Sequence, residues 1–166
     1  MPATTAPRLW DLAHIVRSGR AREATPKDAV RGVPARFVVA PGTVDEAAEV
    51  LRVCSGNDMT VVARGGGTKL GWGSPPERVD VVLLTTQLDS VVEHTPGDLV
   101  VRAQPGVRLA ALQSRLAADG QMLALDPPER GSGATLGGIV AAGASGPRRL
   151  RYGTPRDLLI GVTVVL

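Results

Sequence analysis

Aromatic side chains are nearly absent from this chain of 166 residues: Trp10, Phe37, Trp72 and Tyr152 are the complete set. A core therefore has to be built from Val, Leu and Ala, and the row of stacking platforms that holds single-stranded nucleic acid is missing. Helix-turn-helix and zinc-finger spacings are missing too, so the expectation is no nucleic-acid partner. Histidine occurs only at His14 and His94 and cysteine only at Cys54, far apart in sequence, which leaves a metal site without a ligand cluster. One cysteine cannot close an internal disulfide, in keeping with a reducing compartment. Cys54 falls on the apolar side of an expected helix and reads as a buried small hydrophobe before it reads as a nucleophile. No apolar run approaches the roughly 18 residues of a membrane span. The N-terminal "MPATTAPRLWDLAHIVRSGR" also lacks the unbroken apolar stretch of a secretory signal. The expectation is a cytoplasmic protein with no membrane span.

What is present is an ordinary globular composition, 43% hydrophobic and 21% charged. A chain of this length makes one domain or two small lobes and buries roughly two thirds of its unfolded surface. The net charge is +3. Its local excess lies in "GPRRLRYGTPRD", where Arg148, Arg149, Arg151 and Arg156 read equally as an anion-attracting patch and as a solvated loop.

The pattern of residues changes along the chain. Residues 1–35, with Pro2, Pro7, Pro26 and Pro34, read as an arm holding one short helix around Leu9 to Val16. "RFVVA", Arg36 to Ala40, reads as a strand. In "TVDEAAEVLRVCSGN", Thr43 and Glu46 make a capping box and Val44, Ala47, Ala48, Leu51 and Cys54 share one helical face. "TVVA", Thr60 to Ala63, follows as a strand, giving a βαβ unit with parallel strands. "VDVVLL" is a further strand. "SVVEHTPGDLVVRAQ" carries turn chemistry at Pro96-Gly97 between two β-branched runs, an antiparallel hairpin. "VRLAALQSRLAADG" puts Leu109, Leu112 and Leu116 on one helix face and stops at Gly120. "LLIGVTVVL" is expected to be a last strand.

Two glycine clusters interrupt this order. "VVARGGGTKLGWG" places Gly65, Gly66 and Gly67 at the end of a parallel strand, where successive amides can turn toward one point and cradle phosphate oxygens. It is not a dinucleotide fingerprint, because Gly65, Gly67 and Gly71 give G-x-G-x-x-x-G. It is not a P-loop either, because the order is Gly67-Thr68-Lys69. By itself the loop fits a ligand nest and a plain strand-to-strand turn equally. "GATLGGIVAAGASG" repeats the theme with Thr135, Gly137, Gly138, Gly143 and Gly146, and two such loops suit one long ligand with a diphosphate between flat rings.

The segments "RGGGTKLGWG", "PGVRLAALQSRLAADGQMLALDPP" and "ATLGGIVAAGASGPRRLRYGTPRDLLIGVTVVL" resemble the FAD-binding domain of the vanillyl-alcohol oxidase and p-cresol methylhydroxylase (PCMH) type, and within it the FAD-binding subunits of glycolate oxidases. The resemblance implies an α+β fold, with a small parallel βαβ lobe at about 36–85 and a mainly antiparallel sheet lobe with helices at about 86–166. It also implies that the domain is incomplete at its C-terminal end. It assigns FAD binding to Arg64, Gly65, Gly66, Gly67, Thr68, Lys69 and Leu70 around the pyrophosphate and to Asp126 on the border of the cofactor. Thr135, Leu136, Gly137, Gly138, Ala142, Gly143, Ala144, Ser145 and Gly146 form a second wall, with Tyr152, Gly153 and Val162 beyond it.

Two departures from the family pattern carry consequences. Covalent members have histidine where Thr68 stands, so non-covalent FAD is expected. The "PPERGSGATLGG" link is a few residues longer than usual, which leaves Glu129 to Gly133 without assigned contacts. The function implied is that of a flavin-dependent oxidoreductase acting on a small 2-hydroxy acid such as glycolate, with other oxidase subunits as partners. The catalytic residues are unassigned, and the alternative is an inactive nucleotide-binding module. His14 and His94 are expected at the surface.

Overall fold

The computed structural model describes residues 8–128 and 133–165. Its contacts divide them into two compact units. One takes in the described part of Met1–Arg64, Leu70–Gln87 and Val165; the other takes in Gly65–Lys69 and the described part of Leu88–Val164.

The first unit is a four-stranded sheet. Helix α1 (Leu9–Ala13) precedes β1 (Ala21–Glu23), a 3-10 turn at Pro26–Asp28, β2 (Ala35–Val39), α2 (Val44–Gly56), β3 (Val61–Arg64) and β4 (Val79–Leu84). The strand order is β1-β2-β4-β3. Strand β1 is antiparallel to β2, and β4 runs parallel to both β2 and β3. The expected βαβ unit is present with β4 inserted between its strands. That position explains the apolar run "VDVVLL", broken only by Asp80, since a central parallel strand is covered on both faces. One face packs Phe37, Val39, Val81 and Leu83 against Leu12 and Val16 and against Val50 and Cys54 of α2. The other packs Val38 and Val82 with Val30 and Val79. Residues 8–35 thus supply an edge strand and core side chains as well as the expected helix. Thr43 Oγ1 accepts from the Glu46 amide, while the Glu46 carboxylate reaches one residue past the expected box to the Gly42 amide at 2.6 Å.

The second unit begins with the expected hairpin, β5 (Val91–Thr95) antiparallel to β6 (Val100–Ala103), followed by α3 (Leu109–Ala117), α4 (Leu136–Ala141), α5 (Arg149–Tyr152) and α6 (Pro155–Leu158). Leu112 and Leu116 pack with Val107, and Leu109 packs with Leu125, Ala134, Ile139 and Ala144. The last strand expected at "LLIGVTVVL" does not form. A strand is a pairing between chains of amides, and residues 159–165 pair with no neighbour among the described residues, leaving Ile160 83% and Val164 65% exposed. Among the described residues no helix is long and apolar enough to cross a membrane.

Candidate functional site

Both glycine segments fall in the second unit and lie against each other. A β-carbon on Gly65 would strike the Thr135 hydroxyl, and one on Gly66 would strike the Gly133 carbonyl oxygen, both far inside van der Waals contact. Bare backbone is required here because the Thr135 side chain at Gly65 and the Gly133 main chain at Gly66 occupy the space of a β-carbon. Gly67 then turns the loop at a φ of 75°, a region glycine enters without steric penalty. Lys69 Nζ donates to the Pro128 carbonyl at 2.6 Å and fastens the far end.

The second segment is held by a backbone ladder. The Leu109 amide donates to the Ala134 carbonyl, and the amides of Leu136 and Gly137 donate to the carbonyls of Val107 and Pro105 at 2.8 Å each. Helices α3 and α4 therefore start side by side, and Gly137 permits it, since a β-carbon there would lie 2.5 Å from that of Pro105. The amides of Ala142, Gly143 and Ala144 close α4 on the carbonyls of Gly138, Val140 and Ile139. Gly146 is bare because its β-carbon would run into the Asp126 carbonyl oxygen, and Asp126 Oδ2 accepts from the Arg148 amide at 3.1 Å. Loop 65–69, residues 126–128 and residues 133–146 are thus brought together in one unit.

What this packing leaves open defines the site. Among the described residues no hydrogen-bond partner falls to the amides of Gly65, Gly66, Gly67 and Thr68, nor to those of Ser145 and Gly146. Thr135 is 2% exposed, and its Oγ1, beside Gly65, is a buried hydroxyl with no partner. Such a group costs about 1–3 kcal/mol when left unsatisfied, so its retention calls for a reason. Four successive amides with the Thr68 and Thr135 hydroxyls suit the oxygens of a diphosphate. FAD therefore fits the residues present. Helix α4 spans six residues, and its first two amides, Leu136 and Gly137, are already bonded to Val107 and Pro105.

The other expected residues take these places in the fold. Arg64, in the first unit, gives its guanidinium to Asp28 Oδ1 at 3.0 Å, and Leu70 packs against the Val38 and Val82 cluster. Tyr152, beneath the Arg151 guanidinium at 5.4 Å, and Gly153, with a φ of 85°, join α5 to α6 in the second unit, where α6 packs on α4. Val162 is exposed and belongs to no strand. Glu129 lies outside the described residues.

His14 is exposed as expected. His94 departs from expectation: its side chain is 6% exposed, with Nδ1 3.6 Å from Asp119 Oδ2 and Nε2 3.1 Å from Gln121 Oε1. Three residues past the helix end at Ala117, the turn at Gly120 folds over the hairpin and covers the ring. Cys54 is buried, and desolvation, with Asp80 adding to it, pushes its thiol up to about 11, far from a nucleophile's range.

Residues 35–166 match the model of the FAD binding domain family, and the chain belongs to that family. It is 31% identical to the glycolate oxidase subunit GlcD of Bacillus subtilis over 162 residues, covering 98% of this chain and 34% of that protein. It is 34% identical to the mitochondrial D-lactate dehydrogenase (cytochrome) 1 of Saccharomyces cerevisiae over 134 residues, covering 79% of this chain and 22% of that one. Among solved structures, alkyldihydroxyacetonephosphate synthase shares the fold, with a TM-score of 0.75 at 19% identity over 89% of this chain and 34% of that one. The architecture is α+β, and the chain spans about a third or less of the length of the relatives it matches.

Proposed function

We propose that this chain is the cofactor-holding part of an FAD-dependent oxidoreductase whose substrate is a 2-hydroxy acid such as glycolate. The observation that carries the reading is the meeting, in one unit, of the four amides of Gly65 to Thr68 with the buried hydroxyl of Thr135, none of which has a partner among the described residues. When bound, FAD supplies a ring that takes a hydride from the carbon bearing the hydroxyl. The chain's own residues bind and orient. The loop amides would face the diphosphate oxygens, Thr68 and Thr135 would donate hydroxyls to them, and the small residues Ala142 to Gly146 would wall the approach with Asp126, joined by Tyr152, Gly153 and Val162 as the family resemblance implies. The substrate class rests on relatives named for glycolate and D-lactate, both 2-hydroxy acids. Partner subunits are proposed on the likeness to glycolate oxidase subunits, and the cytoplasm on the single buried thiol.

A narrower reading, a nucleotide-holding module that performs no proton transfer itself, is favoured by how the groups able to take a proton are committed. Asp126 accepts from Arg148, and His94 is enclosed by Asp119 and Gln121. Substrate carbon and base must be held at near-attack distance for an enzyme-like rate.

A non-covalent binding mode is supported by Thr68, which offers a hydroxyl where covalent members of the family carry a histidine. Acid precipitation of flavin-loaded protein is expected to leave the yellow colour in the supernatant. Colour that follows the pellet would overturn the non-covalent assignment.

A further inference from the structure

The loop that departs from β3 starts at Arg64, and Arg64 is not directed at the loop. Its register partner is Leu84, whose side chain packs on the same face as Val38, Val82 and Val62. On the opposite edge of the sheet, Arg22 of β1 stands across from Val38. Cross-strand partners share a face, so two arginines on edge strands about 14 Å apart, three strand spacings, project over the same side. They meet on Asp28.

Its carboxylate is 3% exposed. Oδ2 accepts from Arg22 Nη1 at 2.7 Å, from the Thr25 amide at 2.9 Å and from the Thr25 hydroxyl at 2.8 Å; Oδ1 accepts from Arg22 Nη2 at 2.9 Å and from Arg64 Nη2 at 3.0 Å. Arg64 is only 19% exposed. Resting on the proposed FAD reading, we infer that Asp28 is a positioning residue for the cofactor loop: by clamping Arg64 to Arg22 across the sheet it fixes the end of β3, and Arg64 serves as a strut in place of a ligand.

A second buried carboxylate provides the control. Asp80 is 4% exposed and is held by Arg36, Arg78 and the Thr60 amide, at the ends of β2, β3 and β4 away from the loop. Removing it damages the same sheet without loosening the end of β3 that carries the glycines. A merely structural role for Asp28 therefore predicts that the two substitutions behave alike.

The test compares Asp28→Asn, Arg64→Gln, their double variant and Asp80→Asn by FAD titration at a temperature at which all are folded, and by hydrogen exchange of the peptide covering Arg64 to Lys69 without ligand. Asp28→Asn is expected to weaken FAD about tenfold or more, the equivalent of about 1.4 kcal/mol, and to speed exchange in that peptide. The double variant is expected to be no weaker than the worse single one. Asp80→Asn should lower the melting temperature yet leave the FAD dissociation constant within about twofold and the loop exchange unchanged.

Equal effects of Asp28→Asn and Asp80→Asn on both readouts would overturn the proposal. So would a loss confined to Arg64→Gln, which would make Arg64 a direct ligand. If the unaltered chain takes up no FAD, the functional reading fails and the exchange experiment still decides this one. If Asp28→Asn does not fold, Arg64→Lys, which keeps the charge and loses the fork, replaces it with the same expected outcome.

Discussion

Gly66 shows how one residue can answer two demands. Its missing side chain admits the Gly133 carbonyl, and its amide, like those of its neighbours, has no partner among the described residues. Gly66→Ala is therefore expected to weaken FAD about tenfold or more, ~1.4 kcal/mol, because the loop must leave Gly133 before any ligand arrives. Gly71→Ala is the matched control, with nothing near its β-carbon and no positive φ, and is expected to stay within about 0.5 kcal/mol of the parent in stability. Isothermal titration and thermal melts of both variants check the pair, and equal behaviour would show that loop 65–69 does not depend on that contact. By itself the loop fits a ligand nest and a plain turn equally, and only the family resemblance assigns these glycines to the cofactor. The contact with Gly133 and Thr135 was illegible, because it joins segments more than sixty residues apart. Asp28 was illegible for a related reason: a charged residue in a proline-rich stretch reads as solvated, and its partners Arg22 and Arg64 are not neighbours in sequence.

At the scale of elements, periodicity predicted what it can. Strands β2, β3 and β4 follow apolar runs and helices α2 and α3 helical apolar patterns; Leu109, Leu112 and Leu116 are buried as their spacing requires, whereas in α2 Val50 is buried and Val44 is exposed. Strand β1, "ARE", is too short and too charged to alternate visibly. Helix α4, "LGGIVA", contains two poor helix formers and is held by bonds to Val107 and Pro105 more than by propensity. The final "LLIGVTVVL" has strand propensity and no partner strand among the described residues, and propensity without pairing is not a strand. The hairpin carries a further consequence. Leu99 ends its turn at a φ of 57° with 78% of its surface exposed, a backbone region that costs an L-residue about 1–2 kcal/mol. Leu99→Asn is expected to raise stability by about 0.5–1 kcal/mol, since Asn enters that region readily. A urea midpoint unchanged or lowered would mean that the exposed leucine holds the hairpin in place.

At the scale of the whole molecule, two buried carboxylates among the described residues contribute to the response to acid. The Arg22 guanidinium holds Asp28 well below the usual carboxylate range. Burial alone would push Asp80 up, and the Thr60 amide with the Arg36 guanidinium more than offsets it, so Asp80 is lowered too. A carboxylate whose folded value is depressed stabilises the fold above its unfolded value of about 3.9 and loses that contribution as pH falls below it. Denaturant midpoints are expected to be insensitive to these groups between about pH 5 and 8 and to fall below about pH 4, with the fall reduced in Asp28→Asn and in Asp80→Asn relative to each variant's own neutral value. A parent chain that keeps its neutral midpoint at pH 3 would contradict the assignment.

The central claim is that the two glycine segments of one unit hold the diphosphate of FAD. Titration of the purified chain with FAD and, separately, with FMN tests it most directly, read by flavin fluorescence and by calorimetry. Saturable binding of FAD, with FMN weaker by about tenfold or more, is the result the account predicts, because FMN lacks the diphosphate that the amides of Gly65 to Thr68 are placed to meet. Uptake of FMN in preference to FAD, or of neither, would contradict it.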